Sequence, residues 1–318
     1  MLQIQQGATT GNTYTELKAL SGGWSAWNNL ILQSGGGNVG IGVVTPLETL
    51  HVDTSIRISD NETANTNKSS YITASQYNSG AETEGFIAMR TYAPTGVNAV
   101  RLGGGHSSWN TATEITFYTA ADATTREGTE RMRIDSAGNV GIGVTPESWQ
   151  SGWTALQIGA TSALQSVGGT QTVISENLYR DSVDSRWERI EAGGVSYINL
   201  ENGTIQLQVA NATDGGSGAD SAISWTTGLS IADTGNATFA GNVGIGVSPQ
   251  GTQADFTSLS LGGTGYISTE TSAGAGKNIS ILQNAHYDTD GSWEYISTDE
   301  ASRYKQGCLL YTSDAADE

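Results

Sequence analysis

Asp181, Asp184, Glu188 and Glu191 lie close together in the chain and could supply an acid/base pair. Cleavage of a glycosidic bond needs two such carboxyls held roughly 5 to 10 Å apart. Spacing in sequence does not set that distance, and charges on a strand face are more often simply solvated. Asp288, Asp290 and Gly291 resemble half of a calcium loop. In that register, however, His286 comes first and Ser297 falls where a bidentate glutamate is needed, so Asp290-Gly291 reads as a hairpin turn. His51, His106 and His286 are scattered, with no His-x-x-x-His or cysteine partner to build a zinc site. No Gly-x-Ser-x-Gly elbow is present. Gly35, Gly37 and Gly40 fit Gly-x-Gly-x-x-Gly, but an alternating strand and Pro46 follow where a dinucleotide site needs a helix. No catalytic residue, cofactor or metal ligand is assigned. Tryptophans are the remaining candidates, because exposed indoles stack on sugar rings. Trp24, Trp27 and Trp109 sit in Gly/Ser-rich surroundings and are the weak glycan-stacking candidates, whereas Trp187, Trp225 and Trp293 sit in recurring blocks that favour packing.

The elements that would position these residues are organised by a repeat. Gly-Asn-Val-Gly-Ile-Gly begins at Gly37, Gly138 and Gly241, and each copy runs into a proline at Pro46, Pro146 or Pro249. A period near 100 residues, with divergent sequence between the anchors, indicates an array of modules. The stretch Met132–Asp135, a turn at 136–139 and Val140–Gly143 alternates apolar and polar residues at period 2, which predicts strand, turn, strand. Around the third anchor, Leu229–Ile231, Ala237–Phe239 and Val243–Ile245 predict a three-stranded meander. Val39 and Ile41 share one face of the first anchor strand, while Asn38, Gly40 and Gly42 share the other. Glycine within a strand signals close approach of another backbone, and a neighbouring copy of the chain is the expected source. Asn177, Tyr179 and Trp187 look like counterparts of Asn284, Tyr287 and Trp293. No amphipathic helix of ten or more residues is evident.

Composition narrows the functional class. Charged residues make up 14% of the chain, against about 25% in an average domain. The 42 glycines follow no Gly-X-Y period, which excludes collagen. A net charge of −18 without Lys/Arg clusters argues against nucleic-acid binding. No apolar run approaches the roughly 20 residues of a membrane helix. The sole cysteine, Cys308, lies in 308–318, a segment that resembles a translated sequencing adapter, so Gly307 is taken as the last natural residue. Leu2-Gln3-Ile4 with Gly7-Ala8-Thr9 mirrors Leu156-Gln157-Ile158 with Gly159-Ala160-Thr161, so the chain is expected to begin inside a module.

The anchor at Gly138–Gly143 with Met132–Asp135 before it, and the stretch Trp293–Ser297 with Ala301–Tyr304, resemble bacteriophage tail-fibre-like proteins over nearly all of residues 1 to 307. The modules are of the kind found upstream of an endosialidase-type intramolecular chaperone, and no self-cleaving residue carries over to this stretch. The resemblance implies an all-β, elongated array of β-rich modules with Gly-rich hairpins, in an intertwined homotrimeric shaft. The expected divisions are a partial module over 1–36, repeat modules over 37–137 and 138–240, a truncated one over 241–307, and the adapter-like 308–318. The expected role is structural and not enzymatic: a virion tail-fibre component supporting host attachment, acting outside the cell. Its expected partners are itself, a host-surface glycan or protein and other tail proteins, with no nucleic acid and no membrane insertion. A bacterial surface or secreted adhesin and a fibre-borne glycan depolymerase are the alternatives.

Overall fold

The computed structural model describes residues 37–307 apart from 59, 61–62, 78–79, 81–83, 214, 216–217, 253–254 and 272–277, together with the backbone of the paired strands Leu2–Gln6 and Thr15–Ala19. The protein is all-β: every regular element among the described residues is a strand, so none is a helix able to cross a membrane. The chain falls into two compact units, Met1–Asn110 and Thr111–Glu318. The first contains a three-stranded antiparallel sheet of Lys68–Ala74, Phe86–Ala93 and Ala99–Leu102.

In the second unit a ten-stranded sheet runs in the order Ala237–Phe239, Thr226–Ile231, Thr204–Ala210, Val195–Glu201, Gln171–Glu176, Ser162–Val167, Trp153–Ile158, Val140–Ile142, Thr129–Ile134, Ile115–Thr119. A five-stranded sheet follows, in the order Val243–Ile245, Phe256–Leu261, Gly265–Glu270, Asn278–Gln283, Ser302–Gly307. Tight turns set the register. Between Glu201 and Thr204, Asn202 and Gly203 both have positive φ (47° and 80°), the twist a two-residue hairpin needs.

Each anchor is one local device, built three times. The anchor strand pairs in parallel with a strand further along the chain: Val39–Ile41 with Leu50–Val52, Val140–Ile142 with residues 156–158, and Val243–Ile245 with residues 259–261. Between the two, the loop turns back across the central glycine. A Cβ on Gly141 would overlap the Val144 carbonyl oxygen and lie 2.8 Å from Pro146 Cδ. Gly40 and Gly244 meet the Val43 and Val247 carbonyls in the same way, with Pro46 and Pro249 rings at 2.8 and 2.9 Å. The expectation that a neighbouring copy approaches these glycines is therefore corrected: the chain's own loop fills that face. The residue opposite the glycine then caps the loop, although its chemistry differs each time. His51 Nδ1 accepts from Leu47 N at 3.3 Å, Gln157 Oε1 from Glu147 N at 2.9 Å, and Ser260 Oγ from Gln250 N at 3.3 Å. The anchor asparagine ties in the partner strand, with Asn139 Oδ1 accepting from Ala155 N and Asn242 Oδ1 from Ser258 N.

The predicted meander also needs correction. Ala237–Phe239 pairs with Thr226–Ile231, but Val243–Ile245 pairs only with the strand after it and opens the next sheet. Ala237↔Ile231 takes the place that Val140↔Ile134 holds one module earlier, so the anchor has no free edge there to join.

The ten-stranded sheet carries apolar side chains on both faces. Loops and hairpins cover one face, and the side chains buried there include Gln157, Gln165, Ser175 and Asn199 beside Ala155, Ala163, Val173 and Tyr197. Along the opposite face one cross-strand row runs Ile115, Ile134, Val140, Leu156, Leu164, Ile174, Ile198, Leu207, Leu229, Phe239, one apolar residue from each strand. Leu164 and Ile174 in the middle of that row are 45% and 50% exposed. The five-stranded sheet repeats the arrangement, with Ser258, Ser260, Ser268 and Ser280 buried and the row Val243, Leu259, Ile267, Ile281, Tyr304 on the other side. An antiparallel sheet with one solvated face normally turns its apolar side inward.

Candidate functional site

Trp24 and Trp27 lie outside the described residues. Trp109 is half-buried and belongs to a cluster on the three-stranded sheet. Tyr71, Arg90 and Arg101 are opposite one another on its three strands, brought together by the tight turn in which Val97 N donates to Pro94 O. Gly103, Gly104 and Gly105 follow with φ of 82°, 159° and 97°, a run that side-chain-bearing residues rarely adopt. This turns the Gly105 carbonyl onto the arginines: Arg90 Nη1 donates to it, and Arg101 Nη1 donates to it at 3.3 Å. Arg90, 7% exposed, also donates from Nε to Ser69 Oγ at 2.9 Å. Its guanidinium lies over Tyr92 and Tyr71, 4.5 and 5.5 Å from the ring centres, and that of Arg101 lies 4.7 Å from the Tyr92 centre. Trp109 stacks on Tyr71 at 6.5 Å, and His106 meets Tyr71 edge-on at 5.4 Å, its Nδ1 accepting from Ser108 N. Among the described residues no carboxylate pairs with either arginine.

The carboxylates considered for catalysis surround a small hairpin of Tyr179–Arg180 with Trp187–Glu188, and those of Asp181, Asp184 and Glu188 have structural partners. Asp181 Oδ2 accepts from Val183 N at 2.6 Å and Asp184 N at 2.9 Å. Arg186 pairs with Asp184 and Glu188. The Tyr179 hydroxyl lies 2.8 Å from Asp220 Oδ1 and 3.1 Å from Glu188 Oε2; burial first, then these two carboxylates, pushes its pKa up and keeps it protonated. Glu191 contributes its backbone, which Asn177 holds.

The Asp184 N–H, followed by those of Val183 and Ser182, holds the Asp181 carboxyl below the ordinary aspartate range. A depressed folded pKa stabilises above the unfolded value of about 4, and that contribution is lost as pH falls through the folded value. The Val183 and Asp184 amide shifts should therefore titrate with a midpoint below about 4, and Asp181→Asn should abolish the transition. A midpoint at or above the ordinary value would contradict this.

The corresponding hairpin of the next module, Ala285–Tyr287 with Trp293–Tyr295, opposes His286 to Glu294 where Tyr179 opposes Glu188. Tyr287 thus matches Arg180, and the sequence alignment of Tyr179 with Tyr287 is out by one residue. Asp290-Gly291 forms the hairpin turn, with Gly291 at φ 84° and Asp288 N donating to Ser292 O. Asp288, Asp290 and Glu294 gather near one another, but Asp288 and Asp290 already accept from the Thr289 and Ser292 N–H and hydroxyl groups. Asn177 and Asn284, both at positive φ (58° and 55°), clip the two hairpins. Asn284 Nδ2 donates to Ser297 O and Asp299 O, and its Oδ1 accepts from Ser297 N. Asn284→Gly keeps the backbone permissive and removes the clip. It should cost about 1–3 kcal/mol in chemical denaturation, and an unchanged midpoint would assign the hairpin's stability elsewhere.

Trp187 and Trp225 pack around Tyr197 as expected, joined by Trp153. Trp293 departs from the expectation: it is 40% exposed, with Arg303 over its ring and Tyr287 against it. The residues around Gly37 and Gly40 form a strand with a parallel partner. Sequence reasoning missed Trp149, Trp153, Tyr71, Arg90 and Arg101; the period-2 spacing of Arg90 and Tyr92 was the available signal. No known protein-family model matches the chain, and no curated protein matches it in sequence.

Proposed function

We propose that this chain is a self-associating β-fibre segment, a structural component of a viral tail fibre that supports attachment to a host surface. The observation that carries the reading is the uncovered apolar face of the sheets. Eleven side chains on the bare face of the ten-stranded sheet, from Phe117 to Phe239, are each 38–54% exposed. Together they present on the order of 900 Å² of apolar surface, above the few hundred Å² usual on a monomer and close to the roughly 800 Å² each partner gives to a standard interface. The same row recurs at the next anchor, so the surface that covers it must repeat at the same spacing. A second copy of the chain has that repeat. The count of three copies follows the resemblance to tail-fibre-like proteins.

Cross-linking tests the reading. With Cys308 changed to serine and Ile198→Cys placed in the row, a bismaleimide should give covalent dimers, the largest product one thiol per chain allows. Recovery of monomer alone would count against it.

A further inference from the structure

The molecule has 32 acidic residues and only 14 lysines and arginines. In such a chain, two arginines directly opposite on neighbouring strands need a physical reason, because like charges in that position destabilise a sheet. Arg90 and Arg101 are such a pair, and they donate to the same neutral oxygen, that of Gly105. A buried guanidinium is expensive unless its charge is compensated, and Arg90 is nine-tenths buried with no carboxylate at it among the described residues. Elsewhere Arg133 and Arg186 each have carboxylate partners. Arg101 is exposed, so one edge of the pair reaches solvent. Tyr92 lies against both cations and Tyr71 against Arg90, and Trp109 stacks on Tyr71. A planar guanidinium fork suits a carboxylate or sulfate, and an indole face suits a sugar ring.

We propose that Arg101, with Arg90 opposite it and Trp109 stacked on Tyr71 at the far side of the same cluster, binds an anionic saccharide, a sugar bearing a carboxylate or sulfate group. Arg101 contacts the anion, Arg90 adds charge from the neighbouring strand, and Trp109 provides the apolar face. The choice of a saccharide rests on the attachment reading above; the anion site itself does not.

The test is calorimetric titration of the whole chain with three probes: oligogalacturonate, a sulfated galactan oligosaccharide and a neutral galacto-oligosaccharide. The mass of the same samples is measured by sedimentation, so that failure to assemble and failure to bind are read separately. The expected result is binding of at least one acidic probe, weakening as salt rises, with none of the neutral one. The acidic probe that binds identifies carboxylate or sulfate as the recognised group. Arg101→Ala should weaken binding at least tenfold and Trp109→Ala about fivefold. Arg101→Lys, which keeps the charge and loses the fork, should fall between wild type and Arg101→Ala and guards against a folding defect. Failure of both acidic probes at millimolar concentration, equal binding of the neutral probe, or full affinity in Arg101→Ala would overturn the proposal.

Discussion

Gly141→Ala is expected to disrupt the second anchor and cost about 3 kcal/mol or more, in the range reached when a buried strand must move to relieve overlap. The methyl group would occupy the space of the Val144 carbonyl oxygen and press on the Pro146 ring. Neither neighbour is the free end of a flexible side chain. Relief requires the loop to lift, which separates Gln157 Oε1 from Glu147 N and breaks the cap. Gly138→Ala is the matched control: nothing lies within 4 Å of its added Cβ, and its cost comes only from φ of 89°, about 1 kcal/mol. Chemical denaturation followed by tryptophan fluorescence distinguishes them, since Trp149 and Trp153 lie just beyond the loop. Equal effects from the two substitutions would refute the steric account.

Ile174→Glu combined with Leu207→Glu should convert the assembled protein to folded monomers. Both positions lie in the bare row, 50% and 40% exposed, so an isolated chain can hydrate the new carboxylates. In an assembly those carboxylates would be buried against apolar partners without cations, at a cost of several kcal/mol per interface. The double variant therefore separates assembly from folding, and its circular dichroism should keep the β signature while its sedimentation slows. Unfolding of the variant would mean that the row is covered within the chain. Unchanged sedimentation would mean that no copy covers it.

The all-β class and the anchor turns were legible because they depend on local pattern: period-2 alternation around Val140 and Ile142, and glycines or asparagines where φ turns positive. Alternation does not say which face is covered, however. Leu156 and Gln157 alternate equally well in either sense, and the structure covers the glutamine. The glycines at 40, 141 and 244 correctly signalled a close backbone. Its source was misassigned because alternation says nothing of the chain turning back on itself, as it does within three residues from Gly141 to Val144, and Pro46, Pro146 and Pro249 were the available hint. The cap on that loop is made by histidine, glutamine and serine in turn, so it leaves no recurring residue to find. Arg90 and Arg101, eleven positions apart, meet only through a strand register that the sequence pattern does not specify.

Sedimentation equilibrium of residues 1–307 across a wide concentration range tests self-association most directly. The mass of three chains is expected at micromolar concentration; a stable, folded monomer with the apolar row in solvent would contradict self-association.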